Sequence, residues 1–369
     1  MAESVNRKYS VIPSEEHLGG KIRIPRYTTV SLTDKPESWT VPDPAPFMAQ
    51  VQAAVAQYYM RFVSAAGEQK LPFELTSDVM GSDVSAYLQK RAPAYGIPAA
   101  ALTYAQHRLN LAGLTYDESV AGLCDLAHTA SSVAVTLTKD KWSDARMSMD
   151  AGNVIIESRP DDPEDVQAAL AELQQTGCKR IRDLDGYTGR CPDFSSPLVR
   201  YRLGVCSVIW LEDRGQFMIT RRGRAVNGLN TGRVCAASGA VNWRHVEAQT
   251  PDKYGRVQLQ AVLHAAMEEE AREEIADIDW EITPIGAARE LTRRGSPEFF
   301  YILQPKRLRL EALLEAMSAN THPGAQEVDD ILYLLTPQLV RELMKPEAAG
   351  IIHPKGLMNL GLARGMIVG

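Results

Sequence analysis

AMEEEAREEIADI, residues Ala266–Ile278, is the stretch on which the reading of this chain turns. Five of the seven residues from Glu268 to Glu274 are glutamates, and Glu270, Glu273 and Glu274 fall at i, i+3 and i+4. On a helix these three share a face, a turn apart, where like charges repel. Two explanations offset that repulsion. Water can solvate the face, as it does most charge runs, or a hard divalent cation such as Mg²⁺ can take the carboxylate oxygens as ligands.

The flanks of this stretch predict a sheet. Leu203–Leu211 (LGVCSVIWL) has the apolar run of a buried strand, Glu212–Gly215 (EDRG) forms a turn, and Gln216–Arg221 (QFMITR) completes a hairpin. Val234–Ala237 is a third short strand, and the acidic helix spans Val257–Ala276. Beyond it, strands at Ile282–Glu290, Glu298–Leu303 and Asp329–Leu335 alternate with helices at Leu308–Ser318 and Pro337–Met344. Strands on both sides of one helix, with another helix behind, predict an α-β-α sandwich around a mixed sheet.

The first half reads differently. Residues 1–46, rich in Pro, Ser and Thr, predict an extended arm with a short strand at Tyr27–Ser31. Helical spacing follows at Pro46–Ala66, Asp83–Lys90, Ala99–Asn110 and Asp117–Thr129. A further helix opens with Asp162 as cap and Pro163 in its first turn, and closes at Gly177, between strands at Asn153–Glu157 and Lys179–Asp183. The turn-rich run Asp185–Pro197 divides the chain into a mainly helical α+β domain at 1–197 and a second domain at 198–369.

Composition narrows the function. The net charge of −6 argues against general nucleic-acid binding, which wants a basic face. Five cysteines, widely spaced and without a CxxC pair, give no zinc site or disulfide framework and suit a reducing cytoplasm. The N-terminus has no apolar signal core, and no run has the length to span a membrane, so a cytoplasmic protein is expected.

The core Glu269-Glu270-Ala271-Arg272-Glu273-Glu274-Ile275-Ala276 resembles the box of the Nudix hydrolase superfamily, Arg-Glu-aliphatic-any-Glu-Glu-any-Gly. Gly215–Arg222 resembles that family's early hairpin strand, Ser238-Gly239-Ala240 its glycine turn, and Glu327–Leu335 its late acidic-aliphatic strand. The likeness covers roughly Leu203 to Met344. The chain departs from the pattern where Glu269 replaces the box arginine, Ala276 replaces its last glycine, and Ala261 stands at the upstream glutamate. Val241–Gly255 is an insertion; in the resemblance the box arginine orients a catalytic carboxylate, and Arg272, one turn from Glu269, is the candidate to replace it.

The resemblance implies a Nudix-like fold and a Mg²⁺-dependent (or Mn²⁺-dependent) pyrophosphohydrolase acting on a nucleoside diphosphate derivative, such as a nucleotide sugar, a dinucleotide or ADP-ribose. It makes Glu270, Glu273 and Glu274 the metal ligands and catalytic carboxylates, and leaves the base open between a box glutamate and Glu327. Relatives commonly dimerise, which makes a homodimer the implied assembly. For the substrate, Arg221 and Arg222 suit phosphates. Arg293 and Arg294 with Phe299 combine cations and a stacking face, and Trp243 in the insertion is a second stacking candidate. His245 and His264 have no partner at ligand spacing and read as non-catalytic. The competing expectation is a Nudix-fold module that has lost turnover and binds a nucleotide to regulate or recruit a partner; Glu269 and the missing upstream glutamate favour it.

Overall fold

The computed structural model describes residues 10–12, 73–75, 84–88, 98–109, 118–128, 133–185, 194, 200–222, 234–290, 293–343 and 354–368. They form a mixed α+β protein with two sheets. The larger is built on β7 (Gly204–Leu211), β8 (Gln216–Arg222), β12 (Trp280–Glu290), β13 (Ser296–Pro305) and β14 (Val328–Leu335). The edge strands β1 (Ser10–Ile12) and β2 (Phe73–Leu75) come from the first half, and the order is β1-β14-β8-β7-β13-β12-β2. β9 (Val234–Cys235) pairs with β8, and β10 (Ser238–Ala240) with the start of β7. The smaller sheet runs β11-β3-β5-β4-β6. It comprises β3 (Val84–Leu88), β4 (Ser119–His128), β5 (Val133–Lys141), β6 (Tyr201–Arg202) and β11 (Arg256–Gln258).

Eight α-helices lie among the described residues: α1 (Ala99–Arg108), α2 (Trp142–Asp150), α3 (Glu164–Gln175), α4 (Trp243–Glu247), α5 (Leu259–Glu270), α6 (Leu310–Ala319), α7 (Pro337–Leu343) and α8 (Pro354–Val368). The period-2 alternation of the central strands sends Phe299, Tyr301 and Leu303 to the face covered by α5 and α6. Phe300 and Ile302 face α7 and α8. Both faces are therefore apolar, and each fully buried Leu, Ile or Phe stabilises the fold by about 1.5–3 kcal/mol relative to exposure.

Helix α5 forms because Leu259, Val262, Leu263, Ala266 and Met267, at i, i+3, i+4, i+7 and i+8, make one buried stripe. Its last turn widens into a π-turn at Ala271–Ile275, and the Ala276 N–H donates to Ala271 O at 3.0 Å. Ala276 has φ −162°, extended backbone open to any residue, so alanine in the box's glycine position is unstrained here. The side-chain amide of Asn320 then donates to the carbonyls of Arg272, Glu273 and Ile275 at 3.0–3.1 Å, satisfying the exposed end of the helix. Asn320→Ala should cost about 1–2 kcal/mol in urea unfolding, the penalty for stripping carbonyls of their donor.

The predicted second-half elements recur within a few residues; β6, β10, α4, β11 and α8 are additions, and β11 takes Val257 and Gln258 from the start of the expected acidic helix. The first half holds more strand than its spacing suggested. Asp83–Lys90 and Asp117–Thr129 contain β3 and β4 rather than helices. Short apolar runs fit either period, and here pairing with β5 decides, parallel for β3 and antiparallel with a bulge at Leu123–Asp125 for β4. The strands expected at Asn153–Glu157 and Lys179–Asp183 reduce to a single bridge, Ile155 to Arg180. Helix α3 does close at Gly177 (φ +69°), but Asp162 does not cap it. Its carboxylate instead accepts from Arg108 at 2.6 and 2.8 Å and from Arg159 N–H at 2.9 Å. The expected strand at Tyr27–Ser31 and helix at Pro46–Ala66 lie outside the described residues.

Packing crosses the 197/198 boundary. Leu123, Val135 and Leu137 belong to the same buried cluster as Leu263 and Phe299. Strand β11 pairs with β3 and β2 with β12, so each sheet takes strands from both halves. No helix among the described residues is long and apolar enough to cross a membrane.

Candidate functional site

Carrying the buried stripe of α5 onward reaches residues 270, 271, 274 and 275, and two of these are glutamates. Glu270 and Glu274 thus stand on the side of the helix that faces protein, where a carboxylate needs a reason. Both meet the backbone of β10. Glu274, 5% exposed, accepts from Ser238 N–H at 2.8 Å. Glu270 fills the space over Gly239: a Cβ there would fall 1.6 Å from Glu270 Oε1, so a larger residue at 239 would displace this carboxylate. Strand β10 is itself fixed by its ladder to Gly204–Cys206 of β7.

Glu273 is turned to the neighbouring face of the helix. Its carboxylate lies 3.4 Å from His322 Nε2, and Gly324 packs on its Cβ. Burial pushes the Glu273 carboxyl above its ordinary value of 4.5; the carboxylates of Glu269 and Glu118 push the same way, and His322 and Arg244 oppose them. The folded protein holds this proton more tightly than the unfolded chain does. The associated stability is present below 4.5 and is lost as the pH climbs to the raised value. Glu273→Gln should accordingly gain stability relative to the parent across that window and none below it, read by denaturant unfolding against pH without divalent ions.

Beside this face opens a cleft of about 1050 Å³, lined by Glu269, Glu273, Arg272, His245, Asn320 and His322 among others. Glu269 is held at its wall by Arg244 Nη2 at 2.8 Å and His245 Nε2 at 2.6 Å. His245 Nδ1 is buried without a hydrogen-bond partner, which places the ring proton on Nε2, where it has an acceptor. Arg272 does not take the role suggested for it: it pairs with Glu268 at 2.8 Å and Asp277 at 3.5 Å.

Neither a family model nor a curated protein matches this chain.

The expected metal triad is thus split, with Glu270 and Glu274 on β10 and Glu273 in the cleft. Among the described residues, no three His, Cys, Asp or Glu side chains converge on one metal position. Glu327, half-buried, ends the 3₁₀ turn Pro323–Glu327 that packs on the π-turn. The expected substrate residues lie elsewhere. Arg221 is engaged by Asp329, with Nε 2.7 Å from Oδ2. Arg222 closes β8 opposite Val328. Trp243, half-buried, opens α4 and packs against the main core. Arg293 pairs with Asp150 of α2 at 3.1 Å, and Arg294, 2% exposed, donates to Ser148 O at 2.9 Å. Both arginines hold the seam between the two halves. Phe299 is 2% exposed in the core and Phe300 is fully buried on the opposite face, so neither ring is open to a base.

His322 and Asn320 are site residues that the sequence reading missed. Their signal was weak: a polar Asn-Thr-His-Pro turn between a helix and the late strand, readable only as a loop. His245 was read as non-catalytic; its contact with Glu269 at 2.6 Å was not anticipated.

Proposed function

We propose that the second half is a Nudix-like unit and that the protein is a Mg²⁺-dependent pyrophosphohydrolase acting on a nucleoside diphosphate derivative. The observation that carries this reading is the pair Glu270 and Glu274, placed on the protein-facing stripe of α5 against the backbone of Ser238 and Gly239. A purely solvated acidic helix would have turned both to water.

The donor chemistry fits the metal. Mg²⁺ needs one or two carboxylates and fills its other positions with water and substrate phosphates, so a three-carboxylate cage is not required. Glu270 and Glu274 would hold it, and Mn²⁺ would accept the same oxygens. When bound, the ion supplies charge neutralisation on the phosphate oxygens and a more acidic water. The protein's own part is positional. Ser238 N–H fixes one Glu274 oxygen, and Gly239 leaves room for Glu270. The cleft on the neighbouring face of the helix, lined by Glu269 and Glu273 rather than by Glu270 and Glu274, has the size of a small-molecule site. Glu273, its carboxyl raised and facing the cleft beside His322, suits the base better than Glu327 does.

A second reading, a nucleotide-binding module without turnover, has one observation in its favour: the box arginine is absent and Glu269, in its place, is spent on Arg244 and His245. The two separate in a hydrolysis panel of ADP-ribose, a nucleotide sugar and a dinucleotide, with Mg²⁺ or Mn²⁺. Product formation supports the enzyme. Binding of a panel member by calorimetry without product supports the module.

A further inference from the structure

The first half of the chain reaches the site through α4. Ala121 N–H donates to Val241 O at 2.8 Å, Val120 and Asn242 form a bridge, and Lys139 Nζ lies 3.0 Å from Glu247 Oε1. Strands β4 and β5 therefore hold α4 at both ends. From that mount α4 extends Arg244 to Glu269, with Nη2 at 2.8 Å and Nε at 3.3 Å from the same carboxylate oxygen. Glu269 holds the Arg244 guanidinium charged, and Glu118, the residue before β4, and Glu273 add to the same field. One guanidinium thus stands among carboxylates from both halves of the chain.

We infer that the rotation of the acidic helix is set from the first half of the chain: Glu269 of α5 is held by an arginine on an inserted helix that is mounted on the first-half sheet. Arg244 is then a positioning residue, and the first half supplies its anchorage. The inference rests on the hydrolase reading above. The physical reason is leverage. Glu269 lies one turn before Glu273 and next to Glu270, so the guanidinium that joins His245 Nε2 on one Glu269 oxygen also fixes the rotation of the turn that carries the site carboxylates. The pair is partly exposed, with 52% and 29% of the two side chains accessible, so its stabilising value is small. Its effect falls on geometry, where small misplacements are costly to rate.

The test is a charge exchange. Arg244→Glu and Glu269→Arg should each lower kcat on the hydrolysed panel substrate by about tenfold or more, with KM and Tm little changed. The double variant should recover to within about threefold of the parent, and Arg244→Lys should fall between. Single variants that turn over like the parent, or a folded double variant that stays as slow as the singles, overturn the inference. If the parent hydrolyses nothing in the panel, the hydrolase reading fails separately. Amide exchange then decides: protection across Leu259–Ile275 should fall in each single variant and return in the double, and unchanged protection in the singles overturns the inference.

Discussion

Lys355→Met is expected to destabilise the protein by about 3–5 kcal/mol, the largest stability loss we expect from one side chain. Helix α8 is buried almost all round from Lys355 to Ala363, and it covers the second face of the larger sheet. Lys355 Nζ lies 2.6 Å from Glu298 Oε2, off the direction that a hydrogen bond prefers, and the carboxylate is fully buried. Glu298 occupies the space over Gly204 of β7, where a Cβ would fall 2.4 Å from Oε2. Removing the lysine leaves this buried carboxylate with only the longer-range charges of Arg202 and Arg293, and the cost is that of weakening its compensation rather than of the pair itself. The double variant Lys355→Met, Glu298→Met should therefore recover most of the loss, because an apolar pair of similar volume is often neutral. Urea unfolding of the three proteins measures both numbers. A single-variant loss below about 1 kcal/mol would mean that the carboxylate does not depend on the lysine.

The second-half strands and α5 were legible because their periods are clean and tertiary packing agrees with them. Helix α8 was not, because Leu357, Met358, Leu360, Leu362 and Ala363 leave no polar face to mark a period. Strand β4 was read as helix because Val120, Ala121 and Leu123 satisfy helical spacing about as well as a bulged strand does. The joining of the two halves was beyond local pattern altogether. Nothing in Arg256–Gln258 announces a partner at Ser85–Tyr87, some 170 residues earlier in the chain. The same holds for Arg293 and Arg294, whose loop composition fits phosphate contact; Asp150 and the Ser148 carbonyl, which occupy them, come from a helix more than 140 residues away. At the site, the acidic stretch was recognisable, but its division was not. The i, i+3, i+4 rule puts Glu270, Glu273 and Glu274 on one face of an ideal helix. The buried stripe from Leu259 to Met267, carried on, instead selects Glu270 and Glu274, and the π-turn leaves Glu273 to the cleft.

That division makes the largest functional effect specific. Glu274→Gln should lower Mg²⁺-dependent turnover by about 100-fold or more, with the fold intact. Glutamine keeps the length of the side chain, and its carbonyl oxygen can still accept from Ser238 N–H, so the contact that fixes residue 274 survives. The second carboxylate oxygen is replaced by an amide NH₂, which cannot ligate a cation, and the negative charge is gone. Glu270→Gln should act similarly, because its carboxylate stands over Gly239, beside the Ser238 backbone that holds Glu274. In calorimetry, Mg²⁺ affinity should drop in both variants. Glu273→Gln should leave Mg²⁺ affinity close to the parent's and instead remove the acidic limb of the pH–rate profile, as expected of a cleft-facing base. Equal Mg²⁺ affinity in all three variants and the parent would remove the metal from the acidic helix. Loss of affinity in Glu273→Gln alone would move the metal to the cleft beside His322, and the base would then have to be sought at Glu327.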